Sequence, residues 1–148
     1  IAWKNTKNAA MVVTIDVGDA ADIHPTNKAP VGARLALAAR ALAYGEKLEY
    51  SGPIYAGLRV SFNQAVLSFT HIGGGLVAKD GPLAGFSIAG ADGVFHPAEA
   101  QIDGETVVVS SAEVTKPTAV RYGGANVASG NLLNAAGLPA SPFRTDVK

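Results

Sequence analysis

Two different patterns of apolar residues divide the chain near residue 50. Residues 11–17 form a short, mostly β-branched run, which is typical of a strand covered on both faces. A polar loop follows over residues 20–29. A helix is predicted next, with Pro30 in its first turn, Gly45 at its end and Arg34 on its polar side. Its apolar positions recur at helical spacing: Val31, Leu35, Ala38 and Leu42.

After residue 52, short alternating runs replace the helical repeat. Five of these runs are predicted to be strands: 55–62, 65–70, 83–89, 106–110 and 119–122. Turn signals such as Asp92-Gly93 and Asp103-Gly104 separate them. Several short strands with regular turns indicate an antiparallel β-sandwich. Residues 131–148 contain two prolines and are expected to be an extended tail on the surface.

The two patterns predict two regions, an α/β region over residues 1–50 and a β-sandwich over residues 51–148. One strand and one helix cannot complete an α/β domain, because a parallel strand needs neighbours and each apolar face needs a cover. We therefore expect the rest of that sheet to come from an upstream part of the same protein or from a companion chain. The start at Ile1 fits a fragment or a processed subunit.

Composition narrows the expected partners and cofactors. Twelve Lys and Arg residues balance twelve Asp and Glu residues, so no basic surplus would attract nucleic acid. No apolar run approaches the ~20 residues of a membrane span. Cysteine is absent, which excludes disulfides and thiolate chemistry. No metal or cofactor motif is found, because His71 and His96 stand apart from acidic residues and Gly73-Gly74-Gly75 lacks the lysine of a phosphate loop.

The densest group of polar residues lies between the predicted strand and the helix, at residues 16–25. In open α/β sheets this is the edge where ligands bind. His24 could act there as a general base, because histidine is the side chain that ordinarily exchanges a proton near neutral pH. A carboxylate such as Asp22 could orient the imidazole. Alternatively, Asp19 and Asp22 are loop and capping residues, and His24 is only a polar surface residue.

Residues 18–28, Gly-Asp-Ala-Ala-Asp-Ile-His-Pro-Thr-Asn-Lys, and the helix after them closely resemble the last conserved block of sialate O-acetylesterases. The resemblance continues through further segments: 50–53, 71–76, 85–90 and 134–146. These esterases belong to the SGNH hydrolase superfamily. The resemblance implies that residues 1–50 are the C-terminal strand-loop-helix of an SGNH-type, flavodoxin-like α/β domain. It also implies a serine esterase that removes acetyl groups from sugars, typically sialic acid, in a periplasmic, secreted or lysosomal setting.

His24 matches the catalytic histidine of the family, and Asp22 matches the acidic residue beside it. The general SGNH pattern has its Asp three residues before the His, where this chain has Ala21. The family's nucleophilic serine lies in an upstream Gly-Gln-Ser block, which this chain does not contain. Ser87 only imitates a nucleophile elbow, since it falls in a predicted strand with no helix after it. Single aromatic residues such as Tyr55 and Tyr122 could stack on a sugar, as could Trp3, but core packing is the commoner role.

The sequence therefore predicts the C-terminal part of a carbohydrate O-acetylesterase that supplies His24, and with it Asp22, to an active site completed elsewhere. Neither a cofactor nor a metal is expected. The partners would be an acetylated sugar and the upstream part or a companion chain, and the 148 residues alone are predicted to be inactive. Two alternatives stay open: a non-catalytic β-sandwich module for binding or packing, and a fragment of an acetylxylan-type esterase.

Overall fold

The computed structural model describes residues 6–127 and 129–146. One helix is followed by a series of short strands, all paired in antiparallel fashion within the described residues. The elements are α1 (Ala29–Leu42), β1 (Ile54–Ser61), β2 (Gln64–Thr70), β3 (Leu76–Ala78), β4 (Phe86–Ala89), β5 (Phe95–Pro97), β6 (Glu99–Asp103), β7 (Thr106–Ser110), β8 (Ala119–Tyr122), β9 (Leu132–Asn134) and β10 (Phe143–Arg144).

Two four-stranded sheets and one small pair of strands make up the β region. The first sheet has the order β1-β2-β7-β6, and the second has the order β10-β8-β4-β5. Strands β3 and β9 form the small pair. Antiparallel sheets with one helix are consistent with the predicted sandwich. The described residues before position 50 contain no strand, and the SGNH-type α/β domain over residues 1–50 stays a prediction.

The core lies between the inward faces of the two large sheets. Leu67 pairs with Val107 in the first sheet, and both side chains are fully buried. Ile88 pairs with Val120 in the second sheet and is equally buried. Because side chains alternate along a strand, each of these strands contributes one apolar face to the same core. Full burial of such a side chain stabilises the fold by about 1.5–3 kcal/mol.

An aromatic cluster joins the two sheets around Phe143. Its ring stacks on Tyr55 at a centroid distance of 4.8 Å and on Tyr122 at 5.8 Å. Phe69 and Phe86 meet the same ring edge-on. Tyr122 is 1% exposed, so its ring packs in the core and cannot stack on a sugar. Tyr55, also considered for that role, stacks on Phe143 instead, and Trp3 lies outside the described residues.

The predicted strands are largely confirmed, and the predicted surface tail is wrong. Strands β7 and β8 have the predicted bounds, whereas β4 begins only at Phe86. The C-terminal residues run through the core instead of over the surface, since Leu132 and Ala140 are fully buried. Leu132 lies in β9, which pairs with β3, and β10 pairs with β8. Both Leu132 and Ala140 belong to the main hydrophobic core.

The predicted strand over residues 11–17 does not form, although the helix after it does. Residues 11–14 are irregular and residues 15–17 are a turn. A strand is held by hydrogen bonds to neighbouring strands, and the described chain offers none at this place. Helix α1 begins with Pro30 in its first turn, and Gly45 beyond its end has a φ of +71°. No helix among the described residues is long and apolar enough to cross a membrane.

Candidate functional site

A buried ion pair holds the start of the polar loop against helix α1. The Arg34 guanidinium donates two hydrogen bonds to the Asp16 carboxylate, both of 2.6 Å, and a third of 2.8 Å to the Val13 carbonyl. Burial alone would raise the pKa of Asp16, but the hydrogen bonds and charge of Arg34 outweigh it and lower that pKa below its usual value. The prediction that Arg34 lies on the polar side of the helix is wrong, because Arg34 is buried, with its charge neutralised by the Asp16 carboxylate.

Two Asx turns shape the loop that carries the predicted catalytic residues. Asp19 Oδ1 accepts a 2.8 Å hydrogen bond from the backbone N–H of Ala21. Asp22 Oδ1 accepts one of the same length from the backbone N–H of His24. Such turns are the usual local use of an aspartate in a loop. Asp22 therefore contacts the main chain of His24 in this structure, rather than its ring.

The imidazole of His24 is exposed and makes no hydrogen bond to the residues that the structure describes. Asp22 is exposed as well, so neither group is desolvated. A working Ser-His-Asp arrangement would instead show a nucleophile and an orienting carboxylate on the two ring nitrogens. The structure thus brings Asp22 and His24 together along the backbone and leaves both ring nitrogens available to other groups.

No serine hydroxyl in the described ranges bonds to a histidine ring. Ser51 Oγ donates to the neighbouring Gly52 carbonyl at 3.0 Å. Ser87 lies in β4, opposite Arg121 of β8 and Pro97 of β5. No helix follows β4, so the strand-to-helix turn of a nucleophile elbow is absent at Ser87, as the sequence predicts.

Several large apolar side chains of the loop and of the helical region are exposed to solvent. Ile23 is 90% exposed, Tyr44 78% and Leu35 54%. Leu35 and Leu42 are seven residues apart, which places them on one side of the helix. Two of the four predicted core positions of the helix are therefore open to solvent. A shallow depression of about 400 Å³ lies on this uncovered apolar surface, bordered by Ala39 and Leu42.

A second histidine occupies the junction between the helix and the sandwich. His71 Nδ1 lies 2.7 Å from Glu49 Oε1, and the ring of Tyr50 meets the imidazole edge-on at 5.2 Å. His71 has a left-handed backbone conformation, with a φ of +57°. Sequence reasoning found His71 but not Glu49, because the two residues are 22 positions apart and no local pattern links them. The pair tethers the segment after the helix to the loop that follows β2.

Buried Asn134 completes this junction. Its amide nitrogen donates 2.9 Å hydrogen bonds to the carbonyls of Ser51 and His71. Its amide oxygen accepts a 3.0 Å hydrogen bond from the N–H of Leu138. A Cβ at Gly73 would come within 2.8 Å of the Asn134 amide nitrogen, so the triple glycine forms a tight corner rather than a phosphate loop. No motif in the sequence predicts that Asn134 makes these three hydrogen bonds.

His96 also lies against a glutamate distant in sequence. Its Nδ1 lies 2.7 Å from Glu113 Oε2. His71 thus has the structural hydrogen bond that the sequence analysis favoured over metal ligation, and His96 has a close contact with a carboxylate. Within residues 6–127 and 129–146 there is no cluster of three or more His, Cys, Asp or Glu side chains that could hold a metal ion.

Comparisons with known proteins place this geometry in context. No protein-family model matches the chain. Sialate O-acetylesterases from Homo sapiens and Pongo abelii are each 39% identical over 69 residues, which are 43% of this chain and 13% of theirs. A crystal structure described as a novel carbohydrate acetylesterase from Xanthomonas citri is 52% identical, with a TM-score of 0.87.

The lengths of these proteins differ strongly from the length of this chain. The match to the Xanthomonas citri structure covers 93% of this chain but 32% of that one. The chain thus spans about a third of the solved structure, and the matched region spans about an eighth of the curated relatives. The high identity and the shared fold confirm the resemblance found in the sequence. Over the matched regions, this chain is similar to the sialate O-acetylesterases and to the solved carbohydrate acetylesterase.

Proposed function

We propose that the chain is the C-terminal part of a carbohydrate O-acetylesterase of the sialate 9-O-acetylesterase type, which hydrolyses acetyl esters by a Ser-His mechanism. In this proposal, residues 1–50 complete an SGNH-type α/β domain and residues 51–148 form an accessory sandwich. The observation that carries it is the exposed imidazole of His24, which has no hydrogen-bond partner among the described residues and follows the 90% exposed Ile23. The relatives named as acetylesterases are several times longer than the matched region, which leaves room for the remaining catalytic groups.

His24 is the proton carrier of the proposed reaction. Its free ring nitrogen takes the proton from a serine hydroxyl as the serine oxygen attacks the acetyl carbonyl. The same nitrogen then delivers this proton to the departing sugar hydroxyl, and the acetyl group stays on the serine. Water attacks the acetyl-serine, again with His24 as base, and releases acetate. The serine lies in the upstream part or in a companion chain.

Asp22 positions His24 in this proposal. The hydrogen bond from the His24 N–H to Asp22 Oδ1 fixes the backbone from which the imidazole projects. The following Pro25 restricts His24 to an extended backbone conformation. The Asp16–Arg34 pair anchors the beginning of the same loop to helix α1. The loop is thus anchored at its beginning and carries a local turn at His24, which is exposed.

The uncovered apolar surface supports the idea of a missing catalytic part. Exposed Leu35, Leu42 and Tyr44 would be costly in an isolated protein, since burying each such side chain contributes about 1.5–3 kcal/mol. The serine-bearing part of the α/β domain would cover this surface and bring its nucleophile to His24. The same contact would place the sandwich beside the active site.

Replacement of His24 in the longer protein tests the catalytic role. His24→Ala should lower kcat for p-nitrophenyl acetate by about 10²–10⁴-fold, because that is the usual contribution of general acid–base transfer. His96→Ala removes an imidazole from the sandwich and serves as the matched control with unchanged kcat. Activity in His24→Ala close to that of the control would refute the assignment. Turnover by the 148 residues alone would show that the nucleophile lies within them.

A non-catalytic binding or packing module is the second candidate. It is favoured by the absence of a serine–histidine hydrogen bond among the described residues. An acetylxylan-type ester in place of a sialate ester is a further alternative for the substrate. Comparing acetylated sialic acid with acetylated xylan in the assay of the longer protein separates these substrates. A periplasmic, secreted or lysosomal setting follows from the resemblance and belongs to the proposal.

A further inference from the structure

An open groove lies on the outer face of the second sheet, on the side away from the sandwich core. Its volume is about 460 Å³, which is ample for one or two sugar rings. Ser87, Phe95 and Arg121 line its floor, and Gly123 and Gly124 line one wall. Ser87 and Arg121 stand directly opposite each other in the register of β4 and β8.

Arg121 is held rigidly and still has a free donor edge. Its Nε and Nη2 donate to the Asp146 carboxylate at 3.2 and 2.6 Å, and the guanidinium lies 3.8 Å above the ring of Phe95. Its remaining terminal nitrogen, Nη1, has no hydrogen bond within the part of the chain that the structure describes. An arginine fixed by stacking and by a carboxylate loses little entropy when it binds a ligand.

The charges around Arg121 favour an anionic group. Arg144 donates to the same Asp146 carboxylate, at 3.2 and 2.8 Å, so two guanidinium groups share one carboxylate. These bonds hold the pKa of Asp146 far below its usual range, so Asp146 stays charged and is satisfied by its partners. The nearby Glu113 carboxylate is engaged by His96 Nδ1. One positive charge of the arginine pair is therefore left for a ligand.

Uncharged groups of the groove suit a sugar. The Ser87 hydroxyl makes no hydrogen bond to the described residues, so it can donate to or accept from a sugar hydroxyl. A Cβ at Gly124 would meet no atom within 4 Å, which leaves the wall open to a ring.

We propose that this groove is a glycan-binding subsite that recognises a sugar carboxylate, with the free edge of Arg121 as the anion contact and Ser87 as a hydroxyl contact. The subsite rests on the proposed function only for the choice of a sugar as ligand. It lies on the sandwich, and it requires neither His24 nor ester hydrolysis. It would hold an acidic residue of the glycan while an acetyl group is removed elsewhere.

The test is a binding titration with the 148-residue chain, followed by amide NMR at Gly123 and Gly124. The probes are the methyl glycosides of N-acetylneuraminic acid and of glucuronic acid, each compared with its own methyl ester. The esters keep the ring and lose the charge. We expect at least one acid to bind with a Kd of ~1 mM and its ester to bind at least tenfold more weakly. The two acids distinguish a sialoside from a glucuronide.

Variants locate the subsite within the sandwich. Arg121→Gln should weaken binding of the acid at least tenfold, whereas Arg59→Gln removes an equal charge from the exposed face of β1 and should change nothing. Gly124→Leu obstructs the groove and leaves Arg121 in place, so it should also abolish binding. This variant tests the subsite even if Arg121→Gln fails to fold. The proposal is overturned if acid and ester bind equally, if no acid binds at about 10 mM, or if Gly124→Leu binds like the unaltered chain. None of these outcomes depends on esterase activity.

Discussion

The helical region and the sandwich bury their apolar residues to very different extents. In helix α1 only Arg34 and Ala38 are buried, and Leu35 on the same helix is more than half exposed. In the sandwich, the inward residues of β2, β4 and β7 are sealed from solvent. The sandwich therefore contains its own core, whereas the helix presents an apolar surface suited to a further protein part. We therefore expect substitutions in the sandwich to change mainly stability, and substitutions in the helical region to change mainly activity.

Matched leucine truncations should show the largest difference in stability between the two regions. Leu67→Ala should lower the free energy of unfolding by about 2–5 kcal/mol, because it leaves a cavity in the closed core. Leu35→Ala should change it by less than about 0.5 kcal/mol in the 148-residue chain, because Leu35 has no cover there. Urea unfolding followed by circular dichroism measures both values. Equal losses for the two variants would show that the helix surface is covered after all.

Removing the buried amide at the junction should have a smaller effect. Asn134→Ala leaves the carbonyls of Ser51 and His71 without a donor, and such unsatisfied groups cost about 1–3 kcal/mol. Asn131→Ala is the matched control, because its amide bonds are exposed. Urea unfolding of both variants checks the expectation. A loss for Asn134→Ala no greater than that of the control would mean that the junction is held by packing alone.

The ion pair of the helical region should give the smallest effect, visible as a pH dependence. Because the pKa of Asp16 is lower in the folded chain, its stabilisation is complete above the unfolded pKa of ~3.9. It is lost as the pH falls through the folded pKa. Asp16→Asn should therefore flatten the stability profile below about pH 4.

Asp103→Asn, which removes a carboxylate from an exposed strand end, is the control for this profile and should leave it unchanged. Thermal unfolding between about pH 2 and pH 7 compares the three proteins. If Asp16→Asn keeps the acid slope of the unaltered chain, the stabilising pair lies elsewhere and the helical region is anchored by other contacts.

Strands that carry their own apolar alternation could be predicted from the sequence. β7 alternates half-buried and buried residues, Thr-Val-Val-Val-Ser, and its bounds were predictable to the residue. Helix α1 was equally clear from Pro30 and the apolar repeat. Strands such as β10, with two residues, have no periodicity of their own and form because a longer strand offers a free edge.

The candidate site could be predicted only as a list of residues. The motif around His24 is local, so the sequence reveals it, and the turn between Asp22 and His24 is local as well. The partners of Arg34 and His71 lie 18 to 22 residues away, and no local pattern encodes them. A β-branched run at residues 11–17 predicted a strand, but strand formation depends on neighbours that the described chain does not provide.

The buried C-terminal segment has a consequence for folding kinetics. The hydrogen bond from Asn134 to Ser51 spans 83 residues of sequence, and the N–H of Leu132 donates to the buried Tyr122 hydroxyl. Within the described residues β3 pairs with β9 alone, and β8 pairs with β10 along the edge that β4 leaves free. Neither the small pair nor that edge of the second sheet can therefore close until the C-terminal segment has been synthesised. Contacts of such sequence separation slow folding. A nascent chain that stops before residue 131 would expose apolar strand edges to aggregation.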